Sequence, residues 1–301
     1  MPEGHVYNEI AEFNRQDEHF WNADETHWEV FAEQEGKSGN RWYLWVFAAL
    51  KSVVFFIDPT RSKSVPKNHL GNSAGMVVVD RYKAYFVLLG SGKIVLMFCW
   101  AHVRRDFLTH AKKYPKEEAW ALEWIREIRE LYYINAQRVN AWVTKDEMAL
   151  KSLQMQLEKA IERLYEKSRI QGEQLSSEAA KKILISLNEH RHGLEAFLKN
   201  PEIPMDNNRG ERMIRGPVVG RKGFYGSGSV WSALLAAMMF SLFATLKLWE
   251  LNPHTWTTLF LQSCADNNGK LPNDWQRFLP WKMDKELRNY CNKPLTYSDT
   301  S

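Results

Sequence analysis

The sequence predicts an α/β fold, in which a mixed five-stranded sheet with flanking helices carries an all-helical insertion. Three runs rich in aromatic and β-branched residues, at 19–31, 41–50 and 52–60, are joined by short links and predict an antiparallel meander. Two shorter apolar runs, at 76–80 and 93–100, are typical of strands buried on both faces of a mixed sheet. A long stretch of helical periodicity follows them.

Three amphipathic patterns in succession predict the helical insertion. Residues 117–143 carry apolar side chains at helical spacing. Thr144 then begins a T-x-x-E pattern with Glu147, which predicts a capping box and a second helix. A third pattern covers 177–198. We expect the apolar stripes to pack against one another, and we assign them no role in binding a cofactor.

Five segments are predicted along the chain. The N-terminal segment has weak helical periodicity followed by charged residues, so we expect a linker and a chain that is the C-terminal portion of a longer protein. The link EQEGKSGN between the first two strands is glycine-rich, and the polar end of the chain is expected to be loose. The segments are a tail or linker (1–19), the first part of the core (20–112), the helical insertion (113–200), the second part of the core (201–262) and a C-terminal tail (263–301).

Composition limits the classes of protein that need to be considered. With 301 residues, 45% of them hydrophobic and 13 of them tryptophan, the chain can bury a sizeable core. A net charge of +4 does not by itself indicate nucleic acid, so the clustering of charge matters more. Three widely spaced cysteines predict neither a disulfide framework nor a zinc site. A start without an apolar leader adds to the expectation of a cytoplasmic protein.

One segment has nearly the length of a membrane span. No charged residue occurs from 224 to 246. Ser232, Ser241 and Thr245 interrupt its apolar character, and no second span supports it. We therefore predict a central buried helix and no membrane partner.

The segment 205–226 places one carboxylate, Glu211, within a cluster of cations. The five cations are Arg209, Arg212, Arg215, Arg221 and Lys222. One explanation is a solvated helix face on which Glu211 pairs with neighbouring bases. The other is a metal-ligating carboxylate inside a phosphate-binding surface, because Phe224 and Tyr225 add aromatic rings suited to base stacking.

Two further acids favour the second explanation. Asp24 lies within the first strand, and Asp80 closes the fourth strand at its carboxyl end. If those strands are neighbours, the two carboxylates lie side by side, and a divalent cation would relieve their repulsion. Glu211 would complete an arrangement that holds two Mg²⁺ ions, or Mn²⁺ as a substitute, for in-line phosphoryl transfer.

Two neighbouring acids are interpreted differently. Asp58, in the run I-D-P-T-R, is predicted to be a turn residue before Pro59. Glu25 follows Asp24 on the same strand, and successive residues of a strand face opposite sides. Only one of the two can therefore face a metal.

Polar and basic residues on either side of the insertion are candidates for assisting roles. His102 is either a surface residue or a group that positions a reacting oxygen. The pair Arg104 and Arg105 is predicted to contact phosphates. Asn207 and Asn208 either cap the helix that follows them or bond to the backbone of a ligand.

Eight linked motifs extend along the chain from about Asn22 to Trp281. They are A-D-E-T, L-W-V, D-P-T-R-S, V-V-V-D-R-Y-K-A-Y, C-W-A-H-V-R-R-D-F, D-N-N-R-G-E-R-M-I-R, G-R-K and L-P-W. As a set they are specific, and the chain resembles the transposases of the insertion sequence 66 family. The resemblance implies an RNase H-like catalytic core, with a DDE triad at Asp24, Asp80 and Glu211.

This resemblance also implies partners. A transposase acts on transposon ends and on target DNA, and it assembles a synaptic complex that makes a homodimer or a larger oligomer the expectation. Accessory transposition proteins are further expected partners. The implied location is the bacterial cytoplasm, in association with the nucleoid.

The chain departs from the pattern of that family at two places. The family usually has glycine where this chain has Arg81, and the large cation would either add a phosphate contact or obstruct the site. Full-length members also carry an N-terminal region with a zinc-binding segment that recognises DNA ends. We expect the chain to be a catalytic portion that lacks this region.

Three functions follow from these observations. The first is metal-dependent cleavage of DNA and strand transfer. The second is a catalytically inactive remnant that only binds DNA or assembles. The third is a glycosidase, because paired acids and many tryptophans also suit sugar hydrolysis. A cluster of five cations disfavours the third, and its activity would survive EDTA.

Overall fold

The computed structural model describes residues 2–32 and 39–292. Most of the predicted EQEGKSGN link and the last part of the polar C-terminal end lie outside the described residues.

Five strands form one sheet, with the order β3-β2-β1-β4-β5. Paired residues show that β1 and β2, and β2 and β3, are antiparallel. Two hydrogen bonds, from Gly75 N–H to Lys93 O at the starts of β4 and β5 and from Cys99 N–H to Val79 O at their ends, show that β4 and β5 are parallel. The predicted mixed five-stranded sheet is confirmed, and its first strand is the central one. The strands are β1 (Phe20–Glu29), β2 (Arg41–Ala49), β3 (Val53–Asp58), β4 (Gly75–Val79) and β5 (Ile94–Phe98).

Helices flank the sheet and fill the rest of the described chain. Short 3-10 segments at Lys83–Ser91, Pro115–Glu117, Ala196–Lys199 and Trp275–Phe278 connect some of them. The α-helices are α1 (Pro2–Gln16), α2 (Ser64–Leu70), α3 (Trp100–Lys113), α4 (Glu118–Val143), α5 (Glu147–Gln174), α6 (Glu178–Glu189), α7 (Arg191–Leu194), α8 (Asn208–Phe224), α9 (Val230–Leu248), α10 (Pro253–Asp266) and α11 (Lys285–Cys291).

The chain divides into two compact units. The predicted helical insertion, 113–200, falls entirely within the second of them. The first unit comprises Met1–Met76, Val87–Ile94 and Asn208–Ser301, and the second comprises Val77–Phe86 and Val95–Asn207.

In the first unit, the meander β1 to β3 has two covered faces. One face contributes Trp28, Val46 and Phe55 to a core that includes Ile214 of α8 and Ala237 of α9. The alternate residues point to the other face, as the period of two in a strand requires. There, Phe56 packs against Tyr7 of α1 and His69 of α2.

Both ends of the described chain differ from the predicted tails. Val6 and Ile10 of α1 are fully buried, and they share a core with Trp256 of α10. The C-terminal residues Phe278 and Cys291 are buried in the same core. The charged residues that suggested a linker lie at the end of a packed amphipathic helix, so they mark the end of that helix.

The second unit is mostly helical, as predicted, but its helices begin and end differently. Asp146 caps α5 by accepting a hydrogen bond from Ala149 N–H at 2.9 Å, so the capping box predicted at Thr144 is wrong. Ser177, the first residue of the third predicted pattern, caps α6 by accepting a hydrogen bond from Ala180 N–H. The predicted third helix breaks at His190 into α6, α7 and a 3-10 turn.

Helix α9 is buried on one side only, which corrects the prediction of a central buried helix. Ser241 and Thr245 are fully buried against β3, whereas Trp231 and Leu234 are exposed. Among the described residues, α9 is the one helix long and apolar enough, by length and composition alone, to cross a membrane. A helix packed in a protein core passes the same test.

Candidate active site

The predicted carboxylates divide between the two units: Asp24 and Glu211 lie in the first, and Asp80 lies in the second. Each is partly exposed, as a carboxylate that meets a charged ligand must be. We describe the contacts of each within its own unit.

Asp24 lies on the face of β1 that is covered by α8 and α9. Its partner in the register is Val46, and paired residues of antiparallel strands share a face. Val46 is buried in the core that contains Ile214 of α8. Trp28, four residues after Asp24 and on the same face, packs its ring against Phe240 of α9 at 5.9 Å. The carboxylate therefore points to the side of the sheet where α8 lies.

Glu25 points to the opposite face and is bound there by Arg61. The Arg61 guanidinium forms an ion pair with Glu25, and its Nε donates to Glu25 Oε1 at 2.9 Å. The Glu25 side chain is only 1% exposed. Glu25 is therefore neutralised by an arginine on the face away from α8, and Asp24 is the one of the two acids that faces α8.

Glu211 lies in the first turn of α8 and on the same side of the sheet as Asp24. Residues three apart on a helix share a face, so Glu211 lies one turn before Ile214, which is buried against β2. An acid in the first turn of a helix is also favoured by the helix dipole. The first unit therefore places two of the three predicted carboxylates on one side of the meander.

Asp80 follows β4 directly and belongs to a tight turn in the second unit. Its Oδ1 accepts a hydrogen bond from Tyr82 N–H at 2.9 Å. Arg81 lies between Asp80 and Tyr82 in the sequence, and its guanidinium contacts two helices. It forms an ion pair with Asp106 of α3, and its Nη1 donates to Ser186 Oγ of α6 at 3.1 Å. Its side chain is 11% exposed. Arg81 is thus engaged by protein groups.

Asp58 is a turn residue, as predicted. Its Oδ1 accepts hydrogen bonds from Thr60 N–H at 2.7 Å and from the Thr60 hydroxyl at 2.6 Å. This is the Asx-turn geometry in which a side-chain oxygen replaces a backbone acceptor.

The seven predicted phosphate-binding cations occupy two kinds of environment. Arg209 is partly buried, and its Nη2 donates to Ala49 O at 2.5 Å and to Leu50 O at 3.0 Å. Burial is the main cause that lowers the pKa of Arg209. Arg221 is half-buried and donates to His27 O. The exposed cations are Arg104, Arg105, Arg212, Arg215 and Lys222.

Arg41, which was not among the predicted cations, acts together with Arg221 on one histidine, His27. His27 lies on β1, and its pKa is lowered by partial burial and by the charges of Arg221 and Arg41, against an opposing effect of Glu29. Arg41 begins β2 and pairs with Glu29 in the register. The only signal in the sequence was the basic residue at the start of the second strand, which becomes informative once the register is known.

The predicted assisting residues lie near the start of α3 and the start of α8. His102 is partly exposed in the first turn of α3, and its backbone N–H donates to Cys99 O at 3.2 Å. Asn207 is fully buried, and its backbone N–H donates to Cys99 Sγ at 3.1 Å. Burial raises the pKa of the Cys99 thiol to about 11. Asn208 is exposed as the first residue of α8.

The donor chemistry of the three carboxylates fits Mg²⁺ or Mn²⁺, which prefer oxygen ligands. One oxygen of Asp24 accepts a hydrogen bond from Glu25 N–H at 2.9 Å, and one oxygen of Asp80 accepts from Tyr82 N–H. The backbone therefore orients these two aspartates. Within residues 2–32 and 39–292, no three His, Cys, Asp or Glu residues lie close enough together to hold a metal ion. The three-ligand site therefore stays a prediction.

Comparison with known proteins places the chain in a family. Two proteins of Sinorhizobium fredii, "Uncharacterized protein y4jD" and "Uncharacterized protein y4qI", are 28% and 27% identical to it over 79% and 87% of the chain. These matches cover 47% and 50% of the relatives, so the chain spans about half their length. No solved structure matches the chain. The family model described as "Transposase IS66 family" matches residues 4–234, and the chain belongs to that family.

Proposed function

We propose that the chain is the catalytic portion of a DNA transposase, with an RNase H-like core that cleaves DNA strands and transfers them to a target. The observation that carries the proposal is the shared position of Asp24 and Glu211 on one side of the meander, while Glu25 is neutralised by Arg61 on the other. Helix α8 carries both Glu211 and exposed cations. Membership of the family supports transposase activity in general.

Each predicted residue has a distinct role in this proposal. Asp24, Asp80 and Glu211 are the residues that would hold the metal ions, with Glu211 as a ligand of the second ion. When bound, two Mg²⁺ ions supply charge stabilisation for the attacking and leaving oxygens of an in-line displacement. The hydrogen bonds from Glu25 N–H and Tyr82 N–H keep the two aspartates oriented before DNA arrives.

The exposed cations hold the phosphate backbone. Arg212, Arg215 and Lys222 on α8, and Arg104 and Arg105 on α3, are exposed, whereas Arg209 and Arg221 donate to backbone carbonyls. Because phosphate contacts release counterions, binding should weaken steeply as salt rises. His102, Asn207 and Asn208 are proposed to assist at the phosphates or to orient α8.

The proposed partners are transposon ends and target DNA, a second copy of the chain, and accessory transposition proteins. The proposed location is the bacterial cytoplasm, with the nucleoid. The chain spans about half the length of the curated relatives that it matches, so recognition of specific DNA ends is a proposal for the whole protein.

A catalytically inactive DNA-binding remnant is the alternative function. Obstruction of the site by Arg81 is one cause that would make the chain inactive. The contacts of Arg81 with Asp106 and Ser186 disfavour that cause, because they hold the guanidinium on α3 and α6.

Calorimetric titration of Mn²⁺, in the presence of a short pre-cleaved DNA, tests the proposal without knowledge of the end sequence. Wild-type protein should bind Mn²⁺ saturably, and Asp24→Asn, Asp80→Asn and Glu211→Gln should each weaken binding at least tenfold. Asp58→Asn is the matched control, because its Oδ1 can still accept from Thr60 and its affinity for Mn²⁺ should be unchanged.

Nicking of supercoiled plasmid in Mn²⁺, with and without EDTA, completes the test. Nicking that EDTA and each triad variant abolish supports the transposase. DNA binding without Mn²⁺ binding or nicking would favour the inactive remnant. Hydrolysis of a sugar substrate that persists in EDTA would favour the glycosidase.

A further inference from the structure

Three aromatic side chains are exposed at the turn between α8 and α9. Phe224 is 51% exposed, Tyr225 73% and Trp231 60%. Six tryptophans are among the largest fully buried side chains, whereas Phe31, Tyr133, Trp142 and Tyr290 are further exposed rings. Three exposed rings within eight consecutive residues form a surface of the kind that binds a partner. We call residues 224–231 the aromatic turn.

The aromatic turn is fixed to the end of β1 by hydrogen bonds. Ser227 N–H donates to Glu29 O at 2.8 Å, and Phe31 N–H donates to Ser227 O at 2.8 Å. The Trp28 indole N–H donates to Ser227 Oγ at 3.0 Å. Gly226 has φ +151°, and a Cβ there would lie 2.2 Å from Glu29 O, so only glycine allows this approach. The rings are therefore presented by a well-anchored backbone.

Tyr225 itself has an unfavourable backbone conformation. Its φ of +67° lies in the left-handed region, which a bulky residue rarely adopts. Burial of the ring cannot offset this strain, because the ring is mostly exposed. Strained residues of this kind cluster where function requires a fixed position. This observation is independent of exposure and also points to a binding role for the ring.

The charge around the aromatic turn selects an anionic partner. The sequence has no Asp or Glu from Arg212 to Trp249. Lys222 and Arg215 are exposed on α8, about one turn and about three turns before Tyr225. Cations beside flat aromatic surfaces match the two halves of a nucleotide, the phosphate and the base.

We propose that the aromatic turn binds an unpaired DNA base, which stacks on Tyr225 and Trp231 while Lys222 holds the adjacent phosphate and Arg215 holds a phosphate farther along the strand. The inference rests on the proposed function, in that it takes DNA as the ligand, and it adds that the site prefers unpaired to paired bases. A paired base inside a duplex has both faces covered by its neighbours, so only an end, a flap or a flipped base can stack on an exposed ring.

An anionic membrane surface is the other partner that exposed aromatics and cations could suit. The structure favours DNA, because Ser241 and Thr245 bind α9 to β3 and Phe224 packs against Trp28 at 5.9 Å. Those contacts leave the rings of a short turn, rather than a whole helix face, available to a partner.

The test uses two duplexes that carry 2-aminopurine, whose fluorescence falls when it stacks. In one the probe base is the first unpaired base of a 3′ overhang, and in the other it is paired within a blunt duplex of the same length. Wild-type protein should quench the overhang probe and bind it about tenfold more tightly than the blunt duplex. Tyr225→Ala and Trp231→Ala should remove both the quenching and the preference.

Three variants separate stacking from charge and from misfolding. Tyr225→Phe keeps the ring and should retain the preference. Lys222→Ala should weaken binding to both duplexes by the same factor. Tyr290→Ala removes another exposed tyrosine of the same unit, in α11, and should change neither measurement. Melting temperatures show that each variant is folded.

Three outcomes would overturn the inference. Unchanged preference and quenching in Tyr225→Ala and Trp231→Ala would exclude stacking on these rings while leaving the proposed function intact. Binding to vesicles containing phosphatidylserine that the same variants abolish, with DNA binding unchanged, would assign the rings to a membrane surface. Failure of the folded wild-type protein to bind either duplex would contradict the proposed function together with this inference.

Discussion

Ser241 Oγ accepts a hydrogen bond from the backbone N–H of Phe55 at 2.8 Å, and this contact joins α9 to the outermost strand of the sheet. Thr245 repeats it one turn later, where its Oγ1 accepts from Val53 N–H at 3.0 Å. On the same strand, the Tyr7 hydroxyl of α1 donates to Phe55 O at 3.0 Å. An edge strand otherwise presents unpaired backbone groups that invite pairing with another chain. Two helices satisfy these groups in β3.

Removal of these hydroxyls should destabilise the first unit. Ser241→Ala and Thr245→Val each leave a buried N–H of β3 without its acceptor, so each should lower the free energy of unfolding by about 1–3 kcal/mol. Urea denaturation measures this. Ser263→Ala is the control, because that hydroxyl only donates to Leu259 O within its own helix. Equal effects of all three substitutions would show that the edge-strand contacts contribute nothing specific.

His69 is a second buried polar group with a measurable consequence. Its ring lies against Phe47 and Phe56, with centroids 4.7 and 4.8 Å away. Asn14 Nδ2 donates to Ser52 Oγ at 2.9 Å, which leaves Asn14 Oδ1 to accept from His69 Nε2 at 2.8 Å. Nδ1 of His69 is buried and has no hydrogen-bond partner within the described residues. The neutral tautomer therefore fits the site, and the protonated ring does not.

The stability of the protein should consequently fall in acid. Burial, with a smaller effect of Arg15, lowers the pKa of His69 to about 3. The unfolded chain takes up this proton near pH 6.5 while the folded one does not, so stability is full above pH 6.5 and declines between pH 6.5 and 3. The loss should reach roughly 4 kcal/mol at the lower limit. Urea midpoints measured across this pH range follow the change.

A substitution isolates the contribution of His69 from those of the acids. His69→Leu should flatten the slope of stability against pH between 5 and 6.5, although it lowers stability at neutral pH. His254→Leu, at an exposed position of α10, should leave the slope unchanged. An unaltered slope in His69→Leu would mean that other groups cause the acid sensitivity.

The elements of this fold were predictable where local pattern decides them. All five strands were expected within about two residues of their observed bounds because aromatic and β-branched runs persist whichever way the chain packs. The side of the sheet on which Asp24 points depends on its pairing with Val46, and the period of two alone could not choose between Asp24 and Glu25. The face on which each of the two acids lies became evident only from the register and from the contact of Glu25 with Arg61.

Other errors have a common physical cause, which is competition between local signals. Thr144 and Asp146 are both good caps two residues apart, and the chain uses the aspartate. The periodicity of 177–198 did not reveal a break at His190, because apolar spacing continues across it. The apolar run of α9 could not show that one side is covered by β3 while Trp231 stays exposed, since composition does not encode direction.

Arg209 and Arg212 should behave differently although they lie three residues apart in one cationic cluster. Arg209→Ala removes donors to the carbonyls of Ala49 and Leu50, so it should lower the free energy of unfolding by about 1–2 kcal/mol. Arg212→Ala, at an exposed position, should change stability by less than about 0.5 kcal/mol. Under the proposed function, Arg212→Ala should also reduce the salt dependence of DNA binding by about one counterion.

Denaturant unfolding and fluorescence anisotropy at several salt concentrations measure the two effects separately. A destabilised Arg212→Ala, or an Arg209→Ala as stable as the wild type, would contradict the division between structural and DNA-binding cations. If Arg212→Ala left the salt dependence of DNA binding unchanged, the result would count against the proposed function. The structural role of Arg209 would remain intact.

The ion pair of Arg81 with Asp106 should stabilise the second unit, because the guanidinium is largely buried and Asp106 compensates its charge. Arg81→Met and Asp106→Asn, combined in a double-mutant cycle, should give a coupling free energy of about 1 kcal/mol, above that of a typical exposed pair. Lys181 and Glu178 on α6 form a suitable exposed control pair, with an expected coupling below about 0.5 kcal/mol. Equal coupling in the two pairs would mean that Arg81 is not anchored to α3, and would restore the possibility that its side chain reaches Asp80.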